Sequence, residues 1–179
     1  MNHKLKPGDN APDFRFDSPW KSGQAFYTAK ANRSAVVVFL RYLGCPVCRM
    51  EMADLKKKID LFNRKKAAVF VVLQSSPTTI ASLSKQEDWP FTIVCDPDAE
   101  VFKLYHVEPG GIVKYLHPAG LIAAIKATFR GFMHGKFEGR ETQLPAAFVV
   151  AADKTITFSY YGKNISDTPQ PETLAENIR

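Results

Sequence analysis

Cysteine is scarce in this chain, with three among 179 residues. That count excludes a secreted disulfide scaffold, which needs several paired cysteines in place of a large core. Histidine is scarce too. His3, His106, His117 and His134 are scattered, and none pairs with another at ligand spacing. A structural zinc site would lack its second half, and no metal is expected. Long apolar runs are missing, since no stretch approaches the roughly 18 residues of a membrane-spanning helix. The opening Met1-Asn2-His3-Lys4-Leu5-Lys6-Pro7-Gly8 has no apolar signal-peptide core. The expectation is a cytoplasmic protein without a membrane partner. Internal repeats, low-complexity tracts and linker-like stretches are also absent, so residues 1–179 are expected to form one domain.

Acidic charge is in the minority. Lys and Arg number 24 against 18 Asp and Glu, for a net charge of +6. Such a balance raises nucleic acid as a partner. The basic residues are spread out, however. The densest runs, Lys56-Lys57-Lys58 and Arg64-Lys65-Lys66, flank one helical stretch and suit a solvated face near a helix C-terminus. No nucleic-acid partner is expected.

What is present is an ordinary apolar content of 45%, enough to bury a real core. Residues 11–16 read as extended, 18–24 as a turn, and 25–28 as a returning hairpin strand. Residues 35–41 and 67–73 are apolar, largely β-branched runs of the kind buried on both faces of a sheet. From Pro46 to Phe62 the apolar positions Val47, Met50, Leu55, Ile59 and Phe62 recur at helical spacing. Ser76 and Pro77 open a helix that runs to Gln86. Further strands are expected at 91–94, 146–150 and 155–161, and further helices near 101–105, at 118–129 and from Pro171. Residues 131–143 read as an exposed loop. The order gives an α/β fold: a central mixed sheet flanked by helices, with an N-terminal β-hairpin extension.

The chemistry concentrates at Cys45-Pro46-Val47-Cys48, between a buried strand and a helix that starts at Pro46. A helix N-terminus favours a thiolate, and this spacing permits a small disulfide. Arg41 and Arg49 are near enough in sequence to add positive charge. A redox pair at the end of a buried strand matches a thioredoxin-like site. Half a metal site and two inert cysteines are the alternatives. Cys95 ends an apolar strand and reads as a small buried hydrophobe.

Three segments carry a resemblance: Gly8-Asp9-Asn10-Ala11-Pro12-Asp13-Phe14, the stretch from Phe39 through Cys45 and Cys48 to Glu51, and Leu144-Pro145-Ala146-Ala147-Phe148-Val149-Val150. Together they resemble the peroxiredoxin (alkyl hydroperoxide reductase and thiol-specific antioxidant) family, in its Cys-x-x-Cys, peroxiredoxin-like 2 branch. The resemblance implies a thioredoxin fold, thiol-dependent antioxidant reduction of peroxide, and no cofactor. It implies an external thioredoxin- or glutaredoxin-like dithiol as reductant, and it is compatible with a homodimer. It aligns Cys48 with the peroxidatic cysteine and Glu51 with the glutamate that follows. It also implies a cis-proline at Pro145, packed against the cysteine pair.

The chain departs from the family pattern Pro-x-x-x-Thr-x-x-Cys. Arg41 takes the proline position and Cys45 the threonine position. Pro145 takes the place of a second arginine, with Arg140 nearby. Helix-capping logic favours Cys45 as the more exposed nucleophile, whereas the alignment favours Cys48, with Cys45 resolving. Thiol–disulfide exchange on protein disulfides stands as the alternative. So does a non-catalytic redox sensor with a partner surface in 110–143.

Overall fold

The computed structural model describes residues 4–179. Met1, Asn2 and His3, the N-terminal histidine considered above, lie outside the described residues. Five strands form the central sheet: β3 (Ala35–Phe39), β4 (Ala68–Leu73), β5 (Thr92–Cys95), β6 (Ala146–Val150) and β7 (Ile156–Tyr161), in the order β5-β4-β3-β6-β7. The first three are parallel, and β6 and β7 are antiparallel to their neighbours, so the sheet is mixed as expected.

Every residue of β3 is buried, and alternate side chains feed opposite cores. Val36 and Val38 face a layer containing Met52, Leu55, Phe62 and Leu174. These come from α2 (Pro46–Lys57), α3 (Ile59–Arg64) and α8 (Pro171–Glu176). Val37 and Phe39 face an aromatic layer with Phe14, Phe26, Phe70, Phe102 and Phe148. Phe102 belongs to α5 (Glu100–Leu104).

The N-terminal hairpin is present but shorter than expected. β1 (Arg15–Phe16) pairs antiparallel with β2 (Gln24–Ala25). The returning strand then gives way to α1 (Phe26–Lys30). The helix puts Phe26 and Lys30, four residues apart, on one buried face. Phe26 stacks on Phe14 at 4.8 Å, and Lys30 Nζ donates to the carbonyls of Arg33, Ala151 and Ala152 at 3.0–3.2 Å. Those contacts override the β-preference of Phe and Tyr.

The long helix after Pro46 breaks at Lys58, whose backbone (φ −104°, ψ 12°) separates α2 from α3 and lets Phe62 bury completely. α4 (Pro77–Leu83) starts where expected, with Ser76 Oγ accepting the Thr79 N–H at 3.2 Å. It stops early, and Gln86–Asp88 forms a separate 3₁₀ turn. The pair α6 (Gly111–Tyr115) and α7 (Pro118–Phe129) precedes a strap, residues 131–143. Among the described residues no helix is long and apolar enough to cross a membrane. No three His, Cys, Asp or Glu side chains among them form a metal-holding group.

Candidate active site

β3 ends at Phe39, and the chain crosses to α2 through a loop fastened to the end of β4. The Gln74 N–H donates to the Arg41 carbonyl at 2.7 Å, and the Leu43 N–H donates to Ser75 Oγ at 3.0 Å. Cys45 is the N-cap of α2 and Pro46 its first residue, where a missing N–H costs nothing. Cys45 Sγ accepts the Cys48 N–H at 3.3 Å. One helical turn thus brings both sulfurs together as free cysteines.

The expected exposure of Cys45 is not found. Cys45 is 0% and Cys48 3% exposed. The strap packs on the loop just before them, where its Gly135 N–H donates to the Gly44 carbonyl at 2.8 Å. The two environments differ nonetheless. Burial opposes ionisation of Cys48, but a hydrogen bond from Cys45, the charge of Arg41 and the backbone groups of Arg41 and Tyr42 outweigh it. The Cys48 thiol is pulled below its ordinary value. Burial and the neighbouring Cys48 hold Cys45 well above its own. The two shifts run in opposite directions and favour ionisation at Cys48 over Cys45.

Arg41 supplies the positive charge. It is 5% exposed; Nη2 lies 2.9 Å from Cys45 Sγ, and Nη1 donates to the Glu141 carbonyl at 2.8 Å. Its other contact is the Glu141 carboxylate at 3.4 Å. Burial disfavours the guanidinium charge, but the two sulfurs and Glu141 more than offset that. Glu51, on the first turns of α2, is raised to about 7 by burial, by the Cys48 charge and by Asp54.

Other expected residues sit elsewhere. Arg49 is exposed and turned outward, donating to the Met133 carbonyl at 3.3 Å with its guanidinium 6.0 Å from the Phe132 ring. An α-helix rotates roughly 100° per residue, so position 49 leaves the face that carries Cys48. The Arg140 side chain is exposed and borders a crevice with His106 and Gln143, while its N–H donates to Gln74 Oε1 at 2.7 Å. Pro145 stands one residue before Ala146, which pairs with Phe39. The expected cis bond is absent, since every peptide among the described residues is trans. The chain enters β6 extended, and the Pro145 carbonyl accepts the Gly162 N–H at 2.9 Å, an arrangement a trans proline at a strand start satisfies. Burial, Asp17 and Glu138 push the Cys95 thiol up to about 12, as suits an unreactive core cysteine.

The exposed-loop expectation for 131–143 misses a set of polar partners. The Tyr42 hydroxyl donates to Glu141 and lies 3.2 Å from His134 Nε2. The Arg41 guanidinium lies 5.8 Å from the Tyr115 ring. Burial and Glu141 hold the Tyr42 phenol well above its usual range, which keeps it a neutral donor. Nothing local in the sequence links Arg41 to a residue 100 positions later. A cavity of about 700 Å³ opens beside the site, lined by Leu43, Gly44, Arg49, Phe132, Gly135 and Lys136 among others.

Comparison with known proteins places this geometry. A family model described as the AhpC/TSA family matches residues 7–159. Bovine (Bos taurus) Peroxiredoxin-like 2C is 24% identical over 145 residues, covering 76% of this chain and 64% of the relative, so the match spans less than two thirds of the relative's length. The crystal structure of peroxidoxin BcpB from Mycobacterium tuberculosis superposes with a TM-score of 0.67 at 12% identity, covering 98% of this chain and 96% of that one. A peroxiredoxin-like protein from Aquifex aeolicus gives 0.68 at 16% identity, covering 98% and 86%. At those identities the two structures establish the shared thioredoxin-like fold.

Proposed function

Because this chain belongs to the AhpC/TSA family, we propose that it is a thiol-dependent peroxidase in which Cys48 attacks peroxide and Cys45 resolves the product. The Cys48 thiolate attacks one peroxide oxygen. The O–O bond breaks, the other oxygen leaves as an alcohol or water after taking a proton, and Cys48 becomes a sulfenic acid. The Cys45 thiol then attacks the Cys48 sulfur. Water leaves, and a Cys45–Cys48 disulfide forms. Two thiols have lost two electrons and the peroxide has gained them. An external dithiol of the thioredoxin or glutaredoxin kind returns the pair to its reduced state. A reducing cytoplasm suits that cycle, and both cysteines of the cycle come from one copy of the chain.

The observation that carries this proposal is the buried Arg41, which contacts Cys45 Sγ at 2.9 Å and whose charge lowers the pKa of the Cys48 thiol. Its fixed charge stabilises the thiolate before attack and the departing oxygen during it. Glu51, raised to about 7, is partly protonated near neutral pH, which lessens the negative charge beside Cys48. Burial of both sulfurs favours a small peroxide over a folded protein disulfide as oxidant. The reductant needs the strap to lift. The test is peroxide turnover coupled to thioredoxin, thioredoxin reductase and NADPH. Wild type should consume peroxide and NADPH in equal amounts, and Cys48→Ser should consume neither. Full activity in Cys48→Ser would end the assignment of Cys48, and reduction of insulin disulfides without peroxide turnover would end the proposal in favour of disulfide exchange.

A further inference from the structure

The α6–α7 pair presents apolar side chains where a globular surface carries polar ones. On α6, Val113 is 81% exposed, and Leu116, which caps its C-terminus, is 68% exposed. On α7, Leu121 is 64%, Ile122 66%, Ile125 51% and Phe129 89% exposed. The opposite side of α7 is already occupied. Ala127 is buried, Ala123 and Ala124 pack on the core, and Gly120 meets Ile165 so closely that a Cβ would lie 2.7 Å from it. An Arg130–Asp54 ion pair at 2.6 Å ties the end of α7 to α2. The exposed side of α7, with Leu121, Ile122, Ile125 and Phe129 at helical spacing, is therefore a fixed feature of the fold, and an apolar face of this kind marks an interaction site.

Charge selects the occupant. Residues 109–137 contain no Asp or Glu, and they carry Lys114, Lys126, Arg130 and Lys136. Lys114 and Lys126 are exposed beside the apolar side chains. A second copy of the chain would bring the same cations against them, which opposes a symmetric dimer through this face. A surface of anionic headgroups over acyl chains matches both properties. Lysines meet the headgroups, while Phe129 and the aliphatic side chains enter the boundary region. No helix among the described residues is long and apolar enough to cross a bilayer, but that does not bear on a helix lying on one.

We propose that the α6–α7 face docks the protein on an anionic lipid bilayer surface. Docking is independent of the peroxide chemistry. It would set the strap near the headgroups, because Phe129 leads directly into residues 131–143.

The test is flotation of the full-length reduced protein with phosphatidylcholine vesicles prepared with and without phosphatidylglycerol. Wild type should float with the phosphatidylglycerol vesicles and be released by salt. Phe129→Glu should weaken binding at least about tenfold. A Lys114→Glu/Lys126→Glu variant, which leaves the apolar face intact, should lose the preference for phosphatidylglycerol. Both variants change exposed positions, and unchanged circular dichroism and melting would confirm folding. Cys48→Ser should float like wild type. No flotation, or binding indifferent to phosphatidylglycerol or to Phe129→Glu, overturns the proposal. So does a dimer in sedimentation equilibrium that Phe129→Glu splits, because a second copy would then cover the face.

Discussion

Among the described residues, Arg41 is the cation placed against the cysteine pair. Arg49, the other nearby cation in sequence, points at Met133 and Phe132 instead. Replacing Arg41 with Met should raise the apparent pKa of Cys48 by roughly one to three units, measured as the pH dependence of alkylation by a small iodoacetamide. Arg49→Met should leave that profile in place. An unchanged profile in Arg41→Met would remove Arg41 from the account. Glu51 gives a second test through stability. Its folded carboxyl, raised to about 7 from 4.5, holds its proton more tightly than the unfolded one. Unfolding therefore releases a proton between those values, and the Glu51 contribution to stability falls as pH rises from about 4.5 to 7. Denaturant unfolding of reduced wild type and Glu51→Gln across that range should show the fall in wild type and a flatter curve in the variant.

Elements differ in how plainly the sequence announces them. The buried strands and the start of α2 follow from β-branched runs, helical spacing and Pro46, and they hold in the structure. α1 reads as a strand because the contacts that make it a helix, Phe26 on Phe14 and Lys30 on the β6–β7 turn, are tertiary. α6 escapes notice because Gly110 and Gly111 are poor helix formers. The strap 131–143 is the larger omission. Its glycine and charge read as loop, yet Glu141 reaches Arg41, and Glu138 accepts from Thr79 Oγ1 at 2.6 Å. Gly44 shows how close the strap comes, since a Cβ there would lie 2.1 Å from the Lys136 carbonyl. Gly44→Ala should therefore displace the strap, lower the melting temperature and speed alkylation of the cysteines by a bulky maleimide. Bulky-reagent rates equal to wild type would mean that the strap does not cover the pair.

At the scale of the molecule, two cores share one sheet, and the N-terminal extension is fastened to that sheet by backbone bonds at Gly8, Asp9 and Ala11 and by one buried cation. Lys30 is 1% exposed and donates to carbonyls at Arg33, Ala151 and Ala152. Lys30→Ala strips several buried carbonyls of a charged donor and should cost roughly 2 kcal/mol in denaturant unfolding. A loss of only a few tenths would show that water replaces the ammonium freely. The strand positions and the cysteine pair were legible because each rests on short stretches of chain. The identity of the thiolate was not, because it depends on which sulfur the Arg41 charge and the loop backbone favour after folding.

That assignment is the central claim, and mass spectrometry tests it most directly. The reduced protein receives one equivalent of hydrogen peroxide with a sulfenic-acid trap, alongside Cys45→Ser and Cys48→Ser. Wild type should lose one hydrogen from each thiol and yield a Cys45–Cys48 peptide pair. Cys45→Ser should capture the trap at Cys48, and Cys48→Ser should stay unmodified. Trapping at Cys45 in Cys48→Ser, with Cys45→Ser inert, would contradict the account, as would a wild-type pair that stays reduced.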